Sequence, residues 1–201
     1  GLSFGDNETF AELSENSGLE DSEIASTGEF YGKGSPVAPW GLWLKSGDLD
    51  KQVASFPTSV GGLIVSKTDH EAQEDALRIK WTKSDGDQLQ LKTSSPTDMS
   101  RQSNGAMELT FSARSFTSAG AMVTLGMCGP DTPCDNTLDI SVAPGDWKEY
   151  RISLSCFDKL GLDMTKISAA LMVAAGEGAD IGLSNVRLES DIDAKPGCDG
   201  N

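Results

Sequence analysis

The sequence predicts an all-β protein, an antiparallel two-sheet β-sandwich, and three observations carry that prediction. Apolar residues between Leu77 and Leu183 recur at every second position in short runs, the period of strands with one buried face and one wet face. Turn-forming residues separate the runs at the spacing of an antiparallel all-β domain. Only two short places invite a helix, around Asp69–Glu74 and Phe157–Leu160.

Taken in order, the first 32 residues hold eight acidic side chains (Asp6, Glu8, Glu12, Glu15, Glu20, Asp21, Glu23 and Glu29) and no Lys or Arg. Residues 1–33 therefore read as an acidic lead-in or linker, with Phe4, Phe10, Leu13 and Leu19 available to lie against a folded body. The sandwich is expected over 34–190. Leu42 and Leu44 point to one side of an extended segment and Trp43 to the other. Leu77, Ile79 and Trp81 alternate with Arg78 and Lys80, and the turn Ser84-Asp85-Gly86-Asp87 leads to Leu89 and Leu91. Met107, Leu109, Phe111 and Ala113 form the next run, then Val123, Leu125 and Met127. Tyr150, Ile152, Leu154 and Cys156 make another, and Leu171 with Val173 and Ile181 with Leu183 complete the set. Residues 191–201 read as a tail broken by Pro196 and Gly197.

At 201 residues the chain is long enough to bury a full core. Sixteen Lys and Arg stand against 31 Asp and Glu, a formal net charge of −15. Such a balance repels phosphate backbones and anionic bilayers, so neither nucleic acid nor a membrane surface is an expected partner. No stretch reaches the apolar length of a membrane span, and the first residues lack a secretory-signal pattern. Four cysteines allow three pairings. Cys128 and Cys134 enclose a Gly- and Pro-containing turn and are expected to bond, which implies an oxidising compartment and a secreted or periplasmic protein. Cys156 and Cys198 are left to pair or to stay free.

Carboxylates are numerous, but none sits in the apolar context that raises the pKa of a glycosidase acid. Asp69, Glu71, Glu74 and Asp75 cluster before a strand, and the cofactor reading there is a structural calcium ion, set against a solvated acidic turn. No G-x-S-x-G elbow or phosphate-binding loop occurs, and the lone His70 has no evident nucleophile, so no catalytic residue is assigned. Aromatic faces can carry sugar rings. The carbohydrate-binding candidates are Trp40, Trp43, Phe30, Tyr31 and Trp147, with Gly28–Gly34 as a mobile contacting loop. Trp81 continues an inward strand face and reads as core.

A set of short strings occurs in a shared order from about Gly34 to Leu188: Pro39-Trp40 with Leu42 and Leu44; Ala72-Gln73-Glu74-Asp75-Ala76-Leu77 leading to Trp81; Met127-Cys128-Gly129 with Cys134; Asp146-Trp147; Leu154-Ser155-Cys156-Phe157 with Gly161 and Asp163; and Asn185-Val186-Arg187-Leu188. In this order the chain resembles the galactose-binding-like C-terminal domain of bacterial family 3 glycoside hydrolases, in particular the extra C-terminal domain of marine bacterial exo-1,3/1,4-β-glucanases. It departs from them at Ala169-Ala170, where family members often show Pro-Phe.

The resemblance implies a galactose-binding-like or jelly-roll sandwich without catalytic machinery. In such enzymes a barrel and an α/β sandwich hold the nucleophile and acid, and neither domain's signature motifs occur here. The first functional expectation is an accessory C-terminal domain that packs on catalytic domains of the same polypeptide and contributes to substrate recognition. The second is an autonomous carbohydrate-binding module for β-glucan, which requires a solvent-facing aromatic. A purely structural or adhesive sandwich ranks third.

Overall fold

The computed structural model describes residues 28–130, 133–190 and 198–200. Most of the acidic lead-in and residues 191–197 of the tail lie outside the described residues. Among the described residues the strands are β1 (Glu29–Gly32), β2 (Ser35–Pro36), β3 (Gly41–Ser46), β4 (Leu49–Gln52), β5 (Thr58–Val60), β6 (Leu63–Thr68) and β7 (Ala76–Trp81). They continue with β8 (Gln88–Thr97), β9 (Met107–Ser115), β10 (Ala121–Cys128), β11 (Thr137–Val142), β12 (Lys148–Ser153), β13 (Ile167–Ala175) and β14 (Asp180–Ser190). Two short helices interrupt them, α1 (Ser100–Asn104) and α2 (Leu154–Lys159).

The strands form two antiparallel sheets. Sheet one runs β12-β9-β14-β7-β6-β5, with β1 beside the C-terminal half of β14 and β2 outside β1. Sheet two runs β11-β10-β13-β8-β3-β4. The alternating apolar residues of both meet in one core: Leu77, Ile79 and Trp81 of β7 and Leu109 and Phe111 of β9 pack with Leu42 and Leu44 of β3 and Val123 and Leu125 of β10. Two large polar side chains of this core are tied to the backbone, as burial without a partner is costly. The Trp81 indole N–H donates to the Asp87 carbonyl at 2.9 Å, and the Tyr150 hydroxyl accepts from the Ala143 amide at 2.8 Å.

Two expectations change, and a third is decided between its alternatives. The run Tyr150–Cys156 is a strand only to Ser153, whose hydroxyl caps α2. Leu154 and Phe157, three apart, bury one face of that helix, so the apolar spacing served a helical turn as well as a strand. Of the turn and the short helix open to residues 69–74, the chain takes the turn, closed by the Asp69 and Asp75 carboxylates. Gly28–Gly34 is not a free loop: its centre is β1, paired with β14.

Cys128 is bonded to Cys134 and Cys156 to Cys198. The Ala169-Ala170 departure falls on an irregular stretch of β13, where pairing with β8 shifts register on both sides of Ala169. Ala170 and Leu171 both enter the main core there, while Ala169 stays with Cys128 and Met172 in a small separate cluster. No helix among the described residues is long and apolar enough to cross a membrane.

Candidate functional site

Paired residues of an antiparallel sheet point to the same face, so the registers of sheet two define what it shows outward. One row crosses β4-β3-β8-β13-β10-β11 as Gln52, Trp43, Gln90, Met172, Gly126 and Thr137. The next crosses as Asp50, Lys45, Gln88, Ala174, Thr124 and Asp139. The first row has a buried centre, with Gln90 at 7% and Met172 at 2% exposure, between exposed margins at Gln52 and, one row over, Asp139. Six strands at about 4.8 Å spacing make a face roughly 24 Å across.

Local chemistry holds these groups in place. The Trp43 indole edge and the Gln52 amide close over Gly41, where a Cβ would stand 3.4 Å from Trp43 Nε1 and 3.0 Å from Gln52 Nε2. Gln90 Nε2 donates to Gln88 Oε1 at 2.7 Å, and Thr124 Oγ1 to Asp139 Oδ1 at 2.8 Å. Lys92 of β8 puts its Nζ 4.4 Å from the Trp43 ring centroid and bonds Asp50 of β4 at 2.6 Å. Past Met172 the face is finished by the apolar cluster of Cys128 and Ala169, with Cys134 and Ala174 against it. Chemically the face combines one aromatic ring with side-chain amides and hydroxyls that both donate and accept.

Of the five aromatic candidates, Trp43 alone lies on this face. Phe30 and Tyr31 are fully buried and Trp40 is 4% exposed, so none of the three can offer a ring to solvent. Phe30 meets Trp40 edge-on at 5.1 Å. The Tyr31 hydroxyl takes a hydrogen bond from Lys67 Nζ at 3.2 Å, and burial, with the Asp75 charge, pushes its pKa well above the usual phenol value. These residues read as loop because Gly28, Gly32 and Gly34 surround them, but pairing with β14 makes them core. Trp147 lies on the other sheet: a Cβ on Gly182 would come within 2.5 Å of its ring, so only glycine there lets the indole rest on β14. Its ring also meets His70 at 4.5 Å.

The acidic turn is organised around Asp75, whose carboxylate accepts the amide N–H groups of His70, Glu71 and Ala72 at 2.7–3.0 Å. Burial works against its charge, yet these donors together hold it below the ordinary carboxylate range. Asp69 accepts the Glu74 amide at 2.6 Å. Among the described residues His70, Glu71 and Asp75 bring one ligand atom each within 4.8 Å of one another, while Asp69 and Glu74 fall outside that group. One nitrogen and two carboxylates do not make the six to eight oxygens that calcium takes.

The amides beside Trp43 are the part of this face that the sequence left unmarked. Gln88, Gln90 and Lys92 alternate with Leu89 and Leu91 and so announce an outward face of β8. Nothing local says that this face adjoins Trp43, because that depends on pairing between strands far apart in the chain, Trp43 opposite Gln90.

Fold and face together define a galactose-binding-like β-sandwich. More particularly, the chain belongs to the Exop_C family, described as galactose-binding domain-like, whose model matches residues 38–188. In fold it is similar to the extra C-terminal domain of an exo-1,3/1,4-β-glucanase from a Pseudoalteromonas species, with a TM-score of 0.65, 15% identity, and 87% of this chain and 98% of that one covered. Against the whole enzyme the chain covers 22% of its length. It is also similar to the family 30 carbohydrate-binding module of a Clostridium thermocellum cellulosomal cellulase, with a TM-score of 0.56, 16% identity and 82% and 97% coverage. The family 11 module from the same organism, in complex with a β-1,3-1,4-mixed-linked tetrasaccharide, aligns with a TM-score of 0.54, 13% identity and 82% and 96% coverage. Comparison with curated protein sequences returns no match.

Proposed function

We propose that this chain is a non-catalytic accessory domain of a secreted or periplasmic β-glucan-degrading enzyme of the family 3 exo-glucanase type, and that it holds glucan on the outward face of sheet two. One observation carries the reading: Trp43, half-buried, stands on the outward face of sheet two beside the exposed Gln52, in a member of this family. An aromatic face accepts the C–H side of a sugar ring, and flanking amides match its hydroxyls. The net charge of −15 favours a neutral polysaccharide over an anionic one. The glucan-binding module among the fold relatives supports the ligand class, and the exo-glucanase supports the accessory role.

Affinity electrophoresis of the whole chain in gels containing mixed-linkage β-1,3-1,4-glucan or laminarin tests this. Retardation that Trp43→Ala removes is the expected result. Migration unchanged in every glucan would overturn glucan holding and leave a domain that packs on catalytic domains of its own polypeptide. That second reading is supported by the small share of the whole glucanase that such a domain makes up. It expects deletion of the domain from the parent enzyme to lower its melting temperature or change its kinetics.

A further inference from the structure

β4 and β8 flank β3 in sheet two, so a bond between a side chain of β4 and one of β8 has to cross β3 on the outward face. Lys92 of β8 and Asp50 of β4 make such a bond, at 2.6 Å. On its way Lys92 places its ammonium 4.4 Å from the Trp43 ring centroid. The two anchors lie on opposite sides of Trp43 along the strand: Lys92 pairs with Gly41 and Asp50 with Lys45, two residues before and two residues after it. The ion pair therefore runs diagonally over the one aromatic ring that the described residues place on this face. Both side chains are partly exposed, 23% and 37%, so water and salt reach them.

A sugar ring cannot lie on an aromatic face that an ammonium occupies, because both use the same π surface. Displacing the ammonium gives up a cation–π contact and an exposed ion pair. Each of these is weak, the first because the site is wet and the second because two long side chains must be held in one geometry. The arrangement is thus strong enough to cover the ring and weak enough to open.

We propose that Lys92 and Asp50 form a removable strap over Trp43, so that glucan binding on sheet two is opposed by this ion pair and strengthened when it is screened or cut. The inference rests on the glucan-holding reading above. It makes binding rise with ionic strength, opposite to the behaviour of a ligand held by charge.

The test is titration of the whole chain with mixed-linkage β-1,3-1,4-glucan oligosaccharide at low salt and at about 0.5 M NaCl, a concentration at which exposed pairs are well screened. Lys92→Gln and Asp50→Asn are each expected to tighten low-salt binding by about three- to tenfold and to abolish the gain that the parent chain shows in salt. Lys92→Arg keeps the charge and is expected to behave as the parent. Weaker binding in Lys92→Gln would make Lys92 a direct sugar contact and overturn the strap while leaving the glucan reading intact. Absence of binding by the parent and by all three variants in both salts would overturn the reading itself, and the strap with it.

Discussion

At the scale of single residues, side-chain direction decides which aromatics can meet a ligand. Trp43 alternates with the core residues Leu42 and Leu44, and this much was legible in the sequence. Its loss is expected to weaken glucan binding at least about tenfold, or about 1.4 kcal/mol, with little change in melting temperature, measured by calorimetry on Trp43→Ala. The burial of Phe30 and Tyr31 was not legible, since their fate is set by β14, at the far end of the chain. Asp75 shows the same limit from the other side: its acidic neighbours suggest a cation, whereas its oxygens close a turn. Its folded pKa is lowered, so its stabilisation is fully present above the unfolded value of about 3.9 and is lost as pH falls through the lower folded value. Asp75→Asn is expected to cost about 1–2 kcal/mol at pH 7 and to flatten the acid limb of a stability profile from chemical denaturation. A parallel acid limb in the variant would assign that limb to other carboxylates.

At the scale of elements, the outward side of sheet one carries an ion-pair network. Glu149 of β12 bridges Arg151 at 2.9 Å and, two strands away, Arg187 of β14 at 2.6 Å. Arg187 also meets Glu189, and Arg151 lies 3.5 Å from Glu108 of β9. Thr110, opposite both arginines in register, is fully buried beneath them. Burial works against the Glu149 charge, but the two arginines hold its pKa below the usual range. Because Glu149 is 41% exposed, solvent screening keeps its worth small. Glu149→Gln is expected to cost about 0.5–1 kcal/mol at low salt and less at about 1 M NaCl, measured by urea denaturation. The strands themselves were readable from alternation. The network was not, because it joins β9, β12 and β14, and strand order is fixed by long-range pairing rather than by any local pattern.

At the scale of the whole molecule, the two-sheet architecture follows from period-two runs that each need a partner face, which is why fold class was the most legible property of all. The second disulfide was legible only as two leftover cysteines. Cys156–Cys198 closes 42 residues and ties the end of the chain to α2. By chain entropy its removal is expected to cost about 3–4 kcal/mol, read as a lower denaturation midpoint in Cys156→Ala/Cys198→Ala with glucan binding retained. Loss of binding together with stability would link the tail to sheet two.

The pairing of β1 with β14 also has a mechanical meaning. Gly28 receives the amide of Leu188, and Glu29 lies opposite Arg187, so the start of β1 and the end of β14 sit side by side. Tension pulling Gly28 away from Ser190 would load this antiparallel pair from one end and open its bonds in succession, as a zipper does, rather than shear them together. Force arriving beyond Cys198 takes another route, through the covalent bond to Cys156 and into α2. Under such loads β1 would part from β14 one bond at a time, while the other side is anchored by sulfur.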